Sequence, residues 1–264
     1  MTITLTQNDT GGASMVDSVS SRLVANFFAD TGFDPGTASY VTLRDDFLGD
    51  VISDQWSAGQ GTDGQGAIAV VVAGQHGGVI ALTSGDAGTG YAADASVLTQ
   101  ALNWIPSNGG LFMEARVKCV TSVANICLNV GFSDVLATTT VEEPISCSGT
   151  TLTTNATDAA VWVYDTAQTT DVFNIQGVKA NVDTALTAAT GSLAPAADTW
   201  VLLGVAIDSS GHATFYHNGV NVGTVANAVT ASVALTPHIS YNARTTTSKV
   251  LHVDYMRVSA LRAA

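Results

Sequence analysis

Acidic side chains are the first candidates for chemistry, because two carboxyl groups about 5–5.5 Å apart can cleave a glycosidic bond. Glu142 and Glu143 are adjacent, so on a strand their side chains would point to opposite faces. Glu114 shares its strand face with Arg116, which predicts a surface ion pair rather than an acid catalyst. The sequence therefore predicts no catalytic pair of carboxylates, and we expect a protein that is not an enzyme.

Patterns for metals and cofactors are equally sparse. The five histidines are scattered without an acid or a cysteine at ligand spacing, which argues against zinc. No Gly-x-Ser-x-Gly motif and no phosphate loop occurs, so we predict no cofactor. Calcium is left open because four aspartates fall in predicted loops, although loop aspartates are most often turn formers. They are Asp63, Asp86, Asp94 and Asp134.

Saccharide binding needs an aromatic platform with polar groups beside it. Trp56, Trp104, Tyr91 and Tyr241 are the candidate contacts for a glycan or a protein partner. Each is more often a core or interface residue, because tryptophan and tyrosine are usually largely buried. The same holds for Trp162, and Trp200, which begins an apolar strand, is expected in the core.

The charge balance narrows the choice of partners. Nine basic residues against 22 acidic ones give a formal charge of −13, and only 12% of residues are charged. Such an acidic chain is unsuited to nucleic acid or to an anionic membrane face. No apolar run approaches the ~18 residues of a membrane span, and residues 1–7 lack the features of a secretory signal. We therefore expect the protein to be made in a cytoplasm.

Residues 200–224 contain the clearest structural pattern, which is strand, turn, strand, turn, strand. The turn formers Asp208-Ser-Ser-Gly211 separate two apolar runs, and Asn218-Gly219 is a dipeptide typical of a type I′ hairpin turn. Roughly a dozen short strands at intervals of about 8–12 residues favour a sandwich or jelly roll. The segment 133–155 is predicted to be a long loop, of a length that is often functional.

The cysteines are predicted to be free thiols. Cys119 and Cys127 flank a stretch that resembles a hairpin connection, which would bring them near each other. The strand alternation places Cys119 on the same face as Leu111 and Val117. In the second strand it places Cys127 on the face opposite the apolar residues. Partners directly opposite in an antiparallel pair point the same way, so these two thiols should not meet.

Residues 1–43 differ from the rest of the chain. They are rich in Thr, Ser, Asp and Gly, and the apolar residues of 18–28 have the spacing of a short helix. A segment with so little core material should not fold alone, so we expect an arm that lies on its own domain or on a neighbouring subunit. The main domain is predicted to span residues 44–264.

Four segments resemble the concanavalin A-like lectin/glucanase family over about residues 44–262. They are Gly110–Arg116, Trp200–Asp208, Phe215–Gly219 and Val253–Val258. The resemblance implies two large antiparallel sheets in a jelly roll. Hydrolases of this family carry an E-x-D-x-x-E strand motif, which this sequence lacks. The opening Asp45–Asp50, leading to Trp56, resembles virion proteins of tailed bacteriophages that carry such a domain.

The sequence and the resemblance together predict a bacteriophage virion protein, made in the host cytoplasm. We expect a non-enzymatic capsid decoration or cement protein, homo-oligomeric and anchored through its N-terminal arm to the major capsid protein or another virion protein. The alternative is a carbohydrate- or receptor-binding module of a tail or fibre. In that case the loops 133–155 and 181–198 would contact a host-surface glycan.

Overall fold

The computed structural model describes residues 40–63, 65–71, 77–86, 94–137 and 141–261. Strands dominate these residues, and a short 3-10 helix spans Pro106–Asn108. The predicted helix at 18–28 and the candidate contact Tyr91 lie outside the described residues. In chain order the strands are β1 (Tyr40–Asp45), β2 (Ser57–Gln60), β3 (Ala67–Val70), β4 (Ile80–Thr83), β5 (Ser96–Thr99), β6 (Leu111–Val120), β7 (Ile126–Ser133), β8 (Ile145–Ser148), β9 (Thr151–Thr154), β10 (Ala159–Asp165), β11 (Asn174–Lys179), β12 (Val182–Asp183), β13 (Val201–Ile207), β14 (Ala213–His217), β15 (Val220–Val225), β16 (Thr236–Ala243) and β17 (Val250–Leu261).

The strands form two large antiparallel sheets that pack face to face. The eight-stranded sheet has the order β15-β14-β13-β6-β17-β4-β3, and β1 also pairs with β17. The seven-stranded sheet has the order β12-β11-β10-β7-β16-β5-β2, and β8 and β9 form a separate hairpin. This arrangement confirms the predicted all-β sandwich. The first sheet begins at Tyr40, slightly before the predicted start of the domain at residue 44.

Alternating side chains of both sheets fill the core between them. Trp162 of β10 lies at its centre and is fully buried. Its ring makes edge-to-face contacts with Phe173 and Phe215, at centroid distances of 5.6 and 5.5 Å. The indole Nε1 donates a hydrogen bond to the Gly204 carbonyl of β13, at 3.0 Å. The polar end of the ring is therefore satisfied by the opposite sheet, and this one side chain joins the two layers.

The meander predicted at 200–224 is present as β13, β14 and β15. Asn218 and Gly219 have φ angles of 50° and 80°, as a type I′ turn requires. In the preceding turn the Asp208 carboxylate accepts hydrogen bonds from the N–H groups of Ser210 and His212, at 2.8 and 3.0 Å. Both turns thus follow from the local chemistry of their residues.

The predicted hairpin between Cys119 and Cys127 was wrong, because the chain crosses there from one sheet to the other. β6 belongs to the eight-stranded sheet and β7 to the seven-stranded sheet. Cys119 points into the core, and Cys127 lies on the outer face of its sheet. Alternation identified the face of each strand, but it carried no information about which sheet the strand joins. All three cysteines are free, as predicted, and all three are buried.

The prediction that Trp200 lies in the core was also wrong, because its side chain is partly exposed. The Arg116 guanidinium carbon lies 4.7 Å from its ring centroid, and the Lys118 ammonium nitrogen lies 4.8 Å from it. These cations come from the outer face of β6. The indole face is therefore used for cation–π contacts just before the apolar run of β13 begins.

Replacing Trp162 with alanine tests its place in the core. Trp162→Ala should lower the free energy of unfolding by about 3–5 kcal/mol, because it leaves a cavity and removes the hydrogen bond to Gly204. Urea unfolding followed by circular dichroism measures the change. Val182→Ala, at a position 68% exposed, is the control and should stay within about 0.5 kcal/mol of the wild type. A loss below about 1 kcal/mol for Trp162→Ala would contradict this packing.

Candidate functional site

The outer face of the seven-stranded sheet is polar, yet it is buried. β7 and β16 place Asn129 opposite Ser240 and Cys127 opposite Asn242 on this face. All four side chains are at most 1% exposed. The segments 134–137 and 141–157, here called the cover, lie over them and include the hairpin β8–β9. The long loop predicted at 133–155 is therefore largely a structured layer on the sheet.

Hydrogen bonds from the sheet hold the cover in place. The Asn129 side-chain amide donates to the Ile145 carbonyl at 2.9 Å and accepts from the Ile145 N–H at 3.2 Å, as a neighbouring strand would. Nδ1 of His238 lies 3.2 Å from the Val135 carbonyl, which assigns the ring proton to that nitrogen. Burial lowers the pKa of His238 to about 4, so the imidazole is neutral at neutral pH.

A buried ion pair provides a further attachment of the cover. The Asp165 side chain is fully buried, and Arg244 donates to both of its carboxylate oxygens. Asp165 also accepts from the Cys147 N–H at 2.7 Å, and Arg244 donates to the Cys147 carbonyl at 3.2 Å. Burial lowers the pKa of Arg244 to about 10, so the guanidinium remains protonated and neutralises Asp165 at neutral pH. The Asp165 carboxylate is therefore occupied by its contacts with Arg244 and the Cys147 backbone.

Glu143 is the exceptional residue of the cover. Its side chain is fully buried, and neither carboxylate oxygen has a hydrogen-bond partner of good geometry among the described residues. Burial raises the pKa of Glu143 well above its ordinary value, and the nearby charges of Asp165 and Glu142 raise it further. The neighbouring Glu142 is partly exposed, which agrees with the prediction that the two side chains point in opposite directions.

The predicted Glu114–Arg116 ion pair was wrong. Glu114 is buried on the outer face of the eight-stranded sheet, where it accepts a hydrogen bond from the Tyr255 hydroxyl at 3.2 Å. Its cross-strand neighbour is Arg257. Arg116 pairs instead with Asp254, with a nitrogen–oxygen distance of 2.6 Å. Cross-strand neighbours of β17 decided both pairings, and spacing within β6 alone did not reveal them.

The aromatic candidates occupy different environments. Tyr241 is fully buried in the core between the sheets, so its proposed role as a glycan or partner contact was wrong. Trp56 is buried, and its Nε1 donates to the Asp45 carboxylate at 2.7 Å. Trp104 is 8% exposed, and its Nε1 donates to Gln100 Oε1 at 3.0 Å. Trp104 borders a cavity.

The cavity beside Trp104 has a volume of about 520 Å³, within the range of about 300–1,000 Å³ typical of small-ligand sites. Four side-chain amides and an apolar wall share its lining. Amides can both donate to and accept from hydroxyl groups, and the indole supplies an apolar surface. Sequence patterns missed the amides, of which three lie in the connection between β5 and β6 and one, Gln55, lies in the loop between β1 and β2. The lining includes Gln55, Gln100, Asn103 and Asn108 with Val41, Leu43 and Leu261.

The loop aspartates organise the backbone around them. Asp63 accepts hydrogen bonds from the N–H groups of Gln65 and Asp86, at 2.9 and 2.6 Å. Asp134 accepts from the Thr157 N–H at 3.0 Å. Within the described part of the chain, no three or more His, Cys, Asp or Glu side chains are grouped to hold a metal ion. In that same part, no helix has the length and apolar character needed to cross a membrane.

Known proteins share the fold of this chain. No protein-family model and no curated protein matches its sequence. The chain is similar to a solved protein of unknown function from Shewanella oneidensis MR-1, with 15% identity, a TM-score of 0.58 and coverage of 97% of this chain and 98% of that one. It is also similar to the Bacillus licheniformis β-glucanase, with 12% identity, a TM-score of 0.55 and coverage of 84% and 98%.

The carbohydrate recognition domain of Emp47p is similar to the same extent, with 11% identity, a TM-score of 0.55 and coverage of 82% of this chain and 93% of that one. Identities this low establish the fold alone. The protein has the concanavalin A-like lectin/glucanase fold, as the sequence resemblance implied.

The buried carboxyl of Glu143 predicts a specific pH dependence of stability. A folded-state pKa above the ordinary value of about 4.3 means that stability is lost as the pH rises from there towards the folded pKa. Glu143→Gln removes this loss. The variant should therefore match the wild type near pH 4 and have a higher free energy of unfolding than the wild type at pH 8, with a difference that grows as the pH rises.

Urea unfolding at several pH values between 4 and 8 measures this difference. Glu142→Gln is the matched control, because it makes the same change at the adjacent, partly exposed position and should give a smaller pH dependence. A difference between Glu143→Gln and the wild type that stays constant over this range would show that Glu143 is not buried as an acid.

Proposed function

We propose that this protein is a non-enzymatic structural protein of a bacteriophage particle, and specifically a decoration protein of the head. The observation that carries the proposal is the closed outer face of the seven-stranded sheet. The cover lies over this face, and the charge of Asp165 is neutralised by Arg244. Glu143, a residue of the cover, is fully buried. A hydrolytic site needs two accessible carboxyl groups of defined separation, and these side chains do not offer them.

An exposed apolar loop supports contact with a particle surface. Leu48 and Val51 are 76% and 77% exposed, and both lie in the loop between β1 and β2, which contains the phage-like opening Asp45–Asp50. The Asp45 carboxylate holds the start of this loop by accepting from the Phe47 N–H at 2.8 Å and from the Trp56 indole. Two large apolar side chains on a fixed loop favour burial against a partner. We assign this contact to the major capsid protein.

Particle occupancy tests the proposal. The double variant Leu48→Ser/Val51→Ser should reduce the number of copies per purified particle at least tenfold, measured by quantitative mass spectrometry. Val182→Ser is the control, since it removes a similarly exposed apolar side chain from the seven-stranded sheet, away from the loop. Labelled wild-type protein should form a regular array on the head in electron micrographs. Wild-type protein at the tail tip, or absent from purified particles, would refute the proposal.

The amide-lined cavity favours a second candidate, a carbohydrate-binding module of a tail or fibre. Its lining combines hydrogen-bonding amides with an indole, the combination that a sugar ring requires. Two of the solved proteins with this fold are a β-glucanase and a carbohydrate recognition domain. For this chain, however, the cavity is the feature that supports sugar binding, because the fold is shared by proteins with different activities.

Glycan-array binding tests this second candidate. Asn103→Ala/Asn108→Ala should lower binding to any bound glycan at least tenfold and leave the unfolding free energy nearly unchanged, because both side chains are exposed. Asn221→Ala, an exposed asparagine on β15, is the control and should bind like the wild type. Absence of binding by the wild type, or equal binding by all three proteins, would remove the cavity from consideration.

A further inference from the structure

Three polar side chains of β16 lie in one row beneath the cover. Alternation along the strand places His238, Ser240 and Asn242 on the outer face of the seven-stranded sheet, two residues apart. All three are buried, and each has one polar atom without a hydrogen-bond partner of good geometry. These atoms are Nε2, Oγ and Oδ1. Buried polar atoms in folded proteins are nearly always paired, so such a row indicates a binding surface for a small polar species.

The cover crosses β16 directly above this row. Val141 packs against the apolar cluster that contains Val97 of β5, and the backbone of Ile145 is bonded to the Asn129 side chain of β7. Val97 and Asn129 are the cross-strand neighbours of Ser240 on its two sides. The residues of the cover that connect these two points therefore pass over β16 at Ser240.

Glu143 lies in this connection, and both of its carboxylate oxygens lack a hydrogen-bond partner of good geometry. Burial and the charges of Asp165 and Glu143 raise the pKa of the Cys127 thiol, which is the cross-strand neighbour of Asn242. The carboxylate is thus close to the Asn242 end of the row. We call Glu143, Ser240 and Asn242 the β16 cluster, which joins oxygen atoms of the cover to oxygen atoms of the sheet.

The charge of an ionised Glu143 has no counter-ion among the described residues. Arg244 is bonded to Asp165, and no ion pair between described residues includes Glu143. Burial keeps the pKa of His238 at about 4, so this ring is neutral at neutral pH, and Glu142 adds a further negative charge nearby. Buried charges in proteins are normally paired with an opposite charge or coordinate a metal ion.

We propose that the β16 cluster binds a monovalent cation, Na⁺ or K⁺, between the sheet and the cover. Carboxylate, amide and hydroxyl oxygens are ligands that hard cations prefer, and a single carboxylate balances a single positive charge. The bound ion neutralises Glu143 and links the cover to β16. The site is separate from the loop aspartates Asp63 and Asp134, which accept hydrogen bonds from backbone N–H groups. It belongs to the folded domain and does not rest on the proposed function.

Thermal unfolding in different salts tests the proposal. At pH 8 and an ionic strength of about 0.15 M, the midpoint for the wild type should be at least about 3 °C higher in NaCl or KCl than in choline chloride. Choline is too large for a buried site of this kind. Glu143→Gln should abolish the difference, and the control Glu142→Gln should retain it. Equal midpoints of the wild type in all three salts, or a difference that persists in Glu143→Gln, would overturn the proposal.

The pH series for Glu143→Gln should be run in choline chloride, so that cation binding does not offset the loss of stability.

Thallium supplies a direct measurement of position, because Tl⁺ substitutes for alkali cations and scatters X-rays anomalously. Wild-type crystals soaked in a thallous salt should show an anomalous peak between Glu143 and the side chains of Ser240 and Asn242. Crystals of Glu143→Gln treated in the same way should lack it. A peak that persists in this variant, or density for a water molecule alone at this position in the wild type, would overturn the proposal.

Discussion

A sandwich of two sheets has four faces, and in this protein all four are buried at their centres. The two inner faces satisfy each other through ordinary apolar packing around Trp162. The outer faces impose the stricter constraint, because polar side chains removed from water need partners within the chain. On the seven-stranded sheet, Asn129 and Asp165 meet that need by bonding to the backbone of Ile145 and Cys147. The position of the cover follows from these few bonds.

The closed face also determines the state of the polar side chains beneath it. The same side-chain types on an open face would be solvated carboxylates, amides and an imidazole, available to a ligand. Beneath the cover, burial lowers the pKa of His238 to about 4 and raises the pKa of Glu143. Asp165 is held by Arg244. Side chains that a partner can reach lie instead at edges and loops, where the exposed Leu48 and the amides beside Trp104 are found.

Local chemistry was enough to predict the elements whose conformation is decided by their own residues. The Asn218-Gly219 turn, the alternation of β6 and the free thiols are examples. Alternation could not assign β6 and β7 to different sheets, because the same side chains point inward in either arrangement. Alternation also gave no information about the faces of β10, because every residue from Ala159 to Asp165 is buried. A strand covered on both faces loses the polar positions that would mark it. Only tertiary structure brings Gln55 to the other three amides of the cavity, which follow one another between β5 and β6.

The cover is held by fewer hydrogen bonds than the polar face beneath it offers. Glu143 Oε1 and Oε2, Gln176 Nε2, His238 Nε2 and Ser240 Oγ have no hydrogen-bond partner of good geometry among the described residues. Each such group costs about 1–3 kcal/mol when it is buried. Folded proteins tolerate such costs where other interactions over-determine the geometry, and here Asn129 and the Asp165–Arg244 pair do so. The apolar contacts of Ile145 and Cys147 with Val161 and Val163 act together with these anchors. The cover is therefore held by two kinds of interaction, which together offset the cost of its unsatisfied polar groups.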